Sequence, residues 1–335
     1  MTPIMYRWVN LSSSSDANSI QSLEIYIMRK SILIICLCLF PLTLYGQYER
    51  PGSASGKFLN IGVSPRAEAM GGAYIAIVNN AEAAYYNPAI LANYDKLSVV
   101  FNHNNWFAGI NHDYFAISYK LTRLDGFAFS ATTLTTDEMK VRTPLQPNGT
   151  GETFRVNNYR FGLSYGRMLT NTVSMGLSAN YINLAYYQGF ESDIFSADVS
   201  VIYLTQFHDF SFGIKISNFG SSVKLVNEEY PLPQTFTFGL GFDFLQSERN
   251  KLIFCLAADK QNDSQTLINS GLEWNMRNIF FLRGGYKLNH DIARFSGGFG
   301  LRLDFRKFSL NFDYSLSEYG DLGVANRFGM NIEIL

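Results

Sequence analysis

The stretch TFTFGLGFDFL, Thr235 to Leu245, decides the fold class of this chain. Phenylalanine or leucine occupies every second position from Phe236 to Phe244, and threonine, glycine and aspartate stand between them. Because successive side chains of a β-strand point to opposite faces, the alternation predicts a strand with one apolar and one polar face. Such a strand suits lipid on one side and a polar interior on the other.

The same two-residue period recurs from Leu97 to the end of the chain. Clear examples are Phe115 to Leu121, Tyr159 to Tyr165, Phe195 to Tyr203, and Phe308 to Tyr314. We count about fourteen such segments, within the size range of transmembrane barrels. The pattern therefore predicts an all-β chain in which residues 94–335 form a transmembrane outer-membrane β-barrel of antiparallel strands.

The lengths of the connections support a barrel. Long connections, such as Asp137 to Asn157 and Asn218 to Gln234, alternate with tight turns near Arg123, Thr170 and Arg277. In outer-membrane barrels the short turns face the periplasm and the longer loops face outside. We therefore expect an even number of strands, with both ends of the barrel at the periplasmic side.

A soluble all-β sandwich or barrel is the alternative, because its strands also alternate. The polar faces here are rich in glycine, serine, asparagine and threonine, which resembles a crowded barrel interior. Aromatic residues make up 15% of the chain and charged residues 16%, whereas about 25% of a soluble protein is charged. Both observations favour the membrane barrel.

The N-terminal region resembles an export signal. Arg29 and Lys30 precede an apolar stretch from Ser31 to Leu44, and Gly46 follows. A basic start, an apolar run of this length and a small residue before the cut are the parts of a signal peptide. We predict a signal peptide at 28–46 that is removed near Gly46. Residues 1–27 do not fit it, and we interpret them as a non-native upstream extension; a genuine extended leader is the alternative.

The sequence contains few motifs that indicate catalysis, metal binding or nucleic-acid binding. The net charge of -1 gives no basic patch for nucleic acid, and the four histidines lie far apart. Cys36 and Cys38 fall in the signal peptide, so Cys255 would stand alone in the mature chain. The sequence shows no nucleophile elbow, phosphate loop or zinc-type cysteine pair. We expect no enzyme activity, metal or cofactor; the alternative is a barrel enzyme with a Ser-His or Asp-His group assembled at one rim from distant loops.

Charged residues also fall on the predicted inward faces. They can pair with one another, or they can line a selective aqueous channel. We favour pairing, because about fourteen strands enclose a space of plug size. These residues are Arg160, Asp198, Lys215, Asp243, Asp259, Glu273, Arg283, Lys287, Arg302, Asp304 and Asp313.

The segment before the barrel, 47–93, contains MGGAYIAIVNNAEAAYYNPAIL from Met70 to Leu91. Gly71 and Gly72 permit a tight turn or a close backbone approach. Pro88 interrupts any regular element and restricts Asn87 to an extended conformation. The segment is too apolar to remain in the periplasm. Its many small residues also do not suit an array of lipid-facing strands. We expect it to fold into the barrel as an N-terminal plug.

Residues Phe58 to Leu91 strongly resemble the opening of the PorV/PorQ family, which is related to the FadL-type fatty-acid transporters. Asn79 and Asn80 replace the acidic pair of that family, and Ile90 replaces a glycine. The resemblance implies a 14-stranded barrel with a plug. The family motif is carried by Arg66, Met70, Gly71, Gly72, Ala73, Asn87, Pro88 and Ala89.

The resemblance implies two functions. The first is an accessory of type IX-like protein secretion, in which Asp137 to Asn157 and Asn218 to Gln234 contact a translocon or sorting-domain cargo. The second is FadL-like transport of hydrophobic small molecules across the outer membrane. Transport would need a lateral opening, for which the glycine-rich stretch Arg294 to Asp304 is the candidate. Outer-membrane lipid surrounds the barrel in either case.

Overall fold

The computed structural model describes residues 51–94, 97–187, 190–205, 207–224, 228–290 and 292–334. The predicted upstream extension and signal peptide, at 1–27 and 28–46, lie outside the described residues. So do residues 95–96 before the first strand and short pieces of four connections between strands, including residues 225–227 of the long loop before Thr235.

Fourteen antiparallel strands form one closed barrel. Each strand pairs with its neighbours along the chain, and the last strand pairs with the first, with Leu97 opposite Ile334. The fold prediction is confirmed. The strands are β1 (Leu97–Asn105), β2 (Ile110–Lys120), β3 (Asp125–Thr136), β4 (Asn157–Met168), β5 (Val173–Ala185), β6 (Glu191–Leu204), β7 (Ser211–Gly220), β8 (Thr235–Gln246), β9 (Asn250–Gln261), β10 (Thr266–Met276), β11 (Phe280–Leu288), β12 (Phe295–Asp304), β13 (Phe308–Glu318) and β14 (Val324–Ile334).

The two faces of the wall differ as the alternation predicts. On β3, Phe127 and Phe129 are exposed, while Ala128, Ser130 and Thr132 are buried. The same division holds along the other strands, so large apolar side chains cover the outside and small polar ones point inward. A soluble barrel would bury these apolar rings in its core. The outer surface is the kind that lipid requires.

Connections of unequal length alternate around the barrel. The longest, residues 137–156 and 221–234, lie at one end and each contains a two-residue antiparallel ladder. The tight turns at residues 121–124, 169–172, 247–249, 277–279 and 305–307 lie at the other end, where β1 begins and β14 ends. The predicted alternation is confirmed, and the assignment of the short turns to the periplasm stays a prediction.

Residues 51–94 contain the short helices α1 (Pro65–Ala69) and α2 (Ala83–Tyr86) and the 3₁₀ turns Lys57–Asn60 and Pro88–Ala92. Pro65 starts α1, and the Ser64 hydroxyl accepts a hydrogen bond from the Ala67 N–H at 3.2 Å. Such N-caps satisfy a donor that the helix itself leaves unpaired. Helices of membrane-crossing length and apolarity are absent from the described part of the chain.

This N-terminal segment, residues 51–94, contacts two arcs of the barrel wall. Helix α1 packs on β11 to β14, whereas the turn Pro88–Ala92 packs on β2 to β6. Between them, Tyr74, Ala83, Ala84 and Leu91 form a buried apolar cluster. The segment is therefore held against inward-facing residues at two separate places.

Candidate functional site

Helix α1 is held to the wall by a chain of buried charges of alternating sign. The Arg66 guanidinium donates from Nε and Nη2 to the two carboxylate oxygens of Glu273, each at 2.8 Å. Arg283 donates to the same Glu273 from Nε at 2.6 Å and to Asp313 from Nη1 at 2.5 Å. A bidentate arginine–carboxylate pair is a strong and directional contact. The network therefore fixes the position of α1 on β10, β11 and β13.

A second ion-pair group lies on the same helix. The Glu68 carboxylate accepts from Lys287 Nζ at 3.0 Å and lies 3.5 Å from Arg327 Nη2. Burial by itself raises the pKa of Glu68, but the positive charges of Lys287 and Arg327 outweigh it and lower that pKa to about 2. Glu68 is therefore ionised at any physiological pH and binds both cations of the wall.

The predicted pairing of inward charges is confirmed for most of them. Arg160 and Lys215 both contact Asp198, at 3.0 and 3.4 Å. Asp243 pairs with Lys251 at 2.6 Å. Asp304 differs, because its side chain is 57% exposed near a turn, where it pairs with Arg302. Glu68, Arg327 and Lys251 were not among the predicted inward charges. The partners of Glu68 and Arg327 lie far away along the chain, whereas Lys251 reaches Asp243 on the preceding strand.

Glycines of the wall let the backbone of the segment approach closely. A Cβ added to Gly285 would lie 2.0 Å from the Gly71 backbone nitrogen, and one on Gly271 would lie 2.6 Å from the Met70 carbonyl oxygen. Gly71 and Gly72 have φ values of 68° and 88°, which only glycine adopts readily. Both residues thus have the turn conformation that glycine permits, and the Gly71 backbone lies close to the wall, where a Cβ on Gly71 would lie 2.9 Å from the Ser270 carbonyl oxygen.

A matching arrangement holds the other end of the segment. Added Cβ atoms on Gly126, Gly166 and Gly176 would lie 1.9, 2.5 and 2.1 Å from backbone atoms of residues 88–91. The Ala89 N–H donates to Ser200 Oγ at 3.0 Å, and Asn87 Nδ2 donates to the Ile75 carbonyl at 3.0 Å. Asn87 is extended, as predicted before a proline, and caps the following turn. This end is anchored on β3 to β6.

The residues of the predicted family motif therefore fall into two groups. Arg66, Met70, Gly71, Gly72 and Ala73 lie against β9 to β12. Asn87, Pro88 and Ala89 lie against β4 to β7. They do not converge on one pocket. Their contacts are those of anchors between the segment and the wall.

The positions that depart from the family pattern also have clear contacts. Asn79 Oδ1 accepts from Arg66 Nη1 at 2.7 Å, so a neutral amide stands where an acid would add a charge beside Arg66. Asn80 Oδ1 accepts from the Glu82 N–H at 2.9 Å. Ile90 is buried in the apolar cluster of the segment. The two asparagines therefore bind the segment to itself, whereas the cluster around Ile90 also includes Ala128 and Ile202 of the wall.

Glu82 is a buried carboxyl of a different kind. Burial raises its pKa, and the hydrogen bond from Asn102 Nδ2 to Glu82 Oε1, at 2.8 Å, opposes that rise. The side chain is 4% exposed. It ties the start of α2 to β1 through a hydrogen bond, without an ion pair among the described residues.

A cavity of about 180 Å³ lies between the segment and strands β7 to β11. It is near the long-loop end, because Thr235 begins β8 there and Gln261 ends β9 there. Thr237, Asp259, Leu267, Asn269 and Lys287 of the wall line it together with Leu59, Ile75, Tyr85 and Tyr86 of the segment. The sequence analysis placed Asp259 and Lys287 inward, but it gave no sign that they share a cavity.

Other kinds of site find little support. Within the described ranges, no group of three or more His, Cys, Asp or Glu side chains is placed to hold a metal ion. Cys255 is a buried free thiol on β9. The side chains that meet around the cavity are amides, hydroxyls, carboxylates and lysines, which can bind a small molecule by hydrogen bonds.

The glycine-rich strand β12 does not form an opening in this structure. It pairs with β11 from Phe295 to Leu301 and with β13 from Ser296 to Asp304. A Cβ on Gly298 would meet Ala69 Cβ at 2.7 Å, and one on Gly300 would meet Asp313 Oδ1 at 2.5 Å. These glycines make room for α1 and for the charge network, instead of weakening the wall.

Solved structures share the barrel fold, although no family model and no curated protein matches the chain. The toluene transporter TodX of Pseudomonas putida aligns with a TM-score of 0.56 and 12% identity, over 81% of this chain and 97% of that one. The monoaromatic hydrocarbon channel CymD gives 0.53 and 13%, over 82% and 97%. The toluene transporter TbuX of Ralstonia pickettii gives 0.51 and 14%, over 81% and 97%. At this level of identity the likeness concerns the fold.

Proposed function

We propose that this chain is an integral outer-membrane channel of the FadL-like kind, which transports small hydrophobic molecules and catalyses no reaction. The main support for the proposal is that this chain has the same barrel fold as solved structures that are described as toluene transporters and as a monoaromatic hydrocarbon channel. The apolar outer face supports a membrane location. The signal peptide at 28–46, removed near Gly46, would bring the chain there.

In this proposal residues 51–94 act as the plug. Two anchors hold them, one at α1 on β10 to β14 and one at Pro88–Ala92 on β3 to β6. A solute that crosses the barrel must pass this segment, because its buried cluster lies between the two anchors. Passage would require at least one anchor to loosen, and the charged one at α1 can exchange its ion pairs for water.

The secretion role that the PorV/PorQ resemblance implies has no comparable support. No family model of any kind matches the chain, and the solved structures that share its fold are described as channels and transporters. We therefore rank transport first. Observed binding to a translocon or to sorting-domain cargo would replace transport as the proposed function.

Deletion of the gene should slow the uptake of small ring compounds by whole cells. We expect the initial uptake rate of radiolabelled toluene, catechol or both to fall severalfold, because the outer leaflet of the outer membrane is a poor path for such solutes. The wild-type gene supplied in trans should restore the rate. Surface display of sorting-domain proteins should stay normal in the same strain. Normal uptake together with retained sorting-domain cargo would reverse our ranking of the two functions.

A further inference from the structure

Three neighbouring turns at the short-turn end of the barrel carry a concentration of positive charge. They join β8 to β9, β10 to β11 and β12 to β13. Backbone hydrogen bonds connect them, because the Arg277 N–H donates to the Arg249 carbonyl at 2.6 Å and the Arg302 N–H donates to the Ile279 carbonyl at 2.8 Å. The cations of these turns therefore lie along one continuous part of the rim. We call them the basic arc: Arg249, Arg277, Arg306 and Lys307.

The protein does not neutralise the charge of the basic arc. All four residues are exposed, and none of them forms an ion pair with a described residue. Glu248 is the single acid in the three turns, so their net charge is +3. Other charged groups at this end are already paired, such as Arg302 with Asp304 at 2.8 Å and Lys251 with Asp243 at 2.6 Å. The arc is therefore free to bind an external anion.

The charge is confined to this part of the molecule. The other three tight turns, which join β2 to β3, β4 to β5 and β6 to β7, contain Arg123 and Asp209 and so have no net charge, with His208 neutral. The connections at the opposite end of the barrel contain eight acids and five cations, a net charge of -3. The two ends therefore differ in sign, and the positive end is positive along one half of its rim.

Large apolar side chains adjoin the basic arc on the outer face of the wall. Phe305 and Phe308 flank Arg306 and Lys307, and the two rings stack with their centroids 4.7 Å apart. Phe280, just after the turn between β10 and β11, is 55% exposed. Exposed rings of this kind lie at the boundary of the hydrocarbon layer. The cations beside them therefore lie at the level of the lipid headgroups.

We infer that the basic arc binds the headgroups of anionic phospholipids. A phospholipid whose acyl chains cover Phe280, Phe305 and Phe308 places its phosphate beside these cations, and arginine binds phosphate oxygens through two parallel hydrogen bonds. In the predicted orientation the short turns face the periplasm, so they meet the phospholipid leaflet of the outer membrane. Lipid is favoured over a soluble anion because the apolar rings already require it there. Lipid binding at the arc is independent of the proposed transport function.

Quenching of Trp274 by brominated lipids tests lipid binding at the arc. Trp274 is 44% exposed on β10, three residues before Arg277. Trp8→Phe and Trp106→Phe leave it as the only tryptophan of the full-length chain. The purified protein is placed in phosphatidylcholine vesicles that contain equal fractions of either brominated phosphatidylglycerol or brominated phosphatidylcholine. We expect phosphatidylglycerol to bind about fivefold more tightly at low salt. In about 1 M salt the preference should disappear, because exposed charges are screened.

Neutralising the arc should remove the preference at low salt. The four replacements are Arg249→Gln, Arg277→Asn, Arg306→Gln and Lys307→Gln. Asparagine is used at Arg277 because the φ of this residue is 56°, a left-handed conformation that asparagine adopts readily. The matched control removes four exposed cations at the opposite end and should keep the wild-type preference. Its replacements are Lys140→Gln, Arg142→Gln, Lys224→Gln and Arg294→Gln. Heat-dependent gel migration verifies that each variant is a closed barrel.

Equal quenching of wild-type Trp274 by the two brominated lipids at low salt would overturn the inference, whether or not the variants fold. A preference that the arc variant retains, or that the control variant loses to the same extent, would also overturn it. Without a lipid preference, sedimentation with isolated peptidoglycan that depends on the arc would assign these cations to the cell wall instead. Solute flux is measured separately, so loss of the lipid preference with normal flux would refute lipid binding and keep the proposed function.

Discussion

Replacing Glu273 with alanine is expected to lower the free energy of unfolding by about 3 to 5 kcal/mol, the cost of breaking a buried ion pair by removing one partner. Glu273 is 1% exposed and accepts hydrogen bonds from both Arg66 and Arg283. Its removal leaves two buried guanidinium groups with one carboxylate, Asp313. Urea unfolding in detergent micelles, followed by tryptophan fluorescence, measures the change.

Glu138→Ala is the control for this experiment. Glu138 pairs with Arg155 at 3.2 Å, but both side chains are more than half exposed, at 58% and 57%. Exposed ion pairs contribute little, so a change below about 1 kcal/mol is expected. Equal stability losses in the two variants would show that the charge network on α1 does not anchor the segment.

Gly285→Ala should displace the N-terminal segment from its wall. The new methyl group would overlap the backbone at Met70 and Gly71, with atoms as near as 2.0 Å, and backbone cannot move aside as a side chain can. We expect a loss of about 1 to 3 kcal/mol, as for other overpacked sites. Limited proteolysis should cut residues 51–94 much faster than in the wild type.

The neighbouring glycine provides a matched control. A Cβ on Gly284 meets nothing within 4 Å, because this residue points outward on the same strand. Gly284→Ala should keep wild-type stability and wild-type resistance to protease. If both alanine variants behave alike, close approach of the segment to β11 is not what holds it.

The barrel was predictable because its main determinant is local. Lipid outside and a polar interior impose a two-residue alternation on each strand, and Phe236 to Phe244 carries it almost without exception. Closure adds an even strand count and alternating connection lengths, which are also visible along the chain. Fold class, strand number and the inward position of most charges therefore followed from the sequence.

The anchors and the cavity depend on contacts between distant residues. Arg66 and Glu273 are 207 positions apart, and nothing near either residue identifies the other. In the sequence, Gly271 and Gly285 resemble ordinary small residues of a barrel interior. Only the structure shows that they contact the backbone of Met70 and Gly71. The motif from Met70 to Leu91 marked the segment as unlike the strands, but the sequence could not show that its glycines meet glycines of the wall.

The choice between secretion and transport also depends on long-range structure, which local motifs do not show. The N-terminal motif favoured a secretion accessory, whereas the solved structures with the same architecture are named as channels and transporters for aromatic hydrocarbons. The cavity between the segment and the wall, which no local motif marks, adds a place for a small solute.

Solute flux into vesicles tests the transport claim most directly. The purified chain is inserted into vesicles whose outer leaflet is lipopolysaccharide, because plain phospholipid lets small ring compounds pass unaided. We predict that toluene or catechol enters severalfold faster than in protein-free vesicles, and that excess unlabelled compound slows entry of the labelled one. Entry at the protein-free rate for both compounds, with the barrel shown to be folded by its heat-dependent migration, would contradict the account.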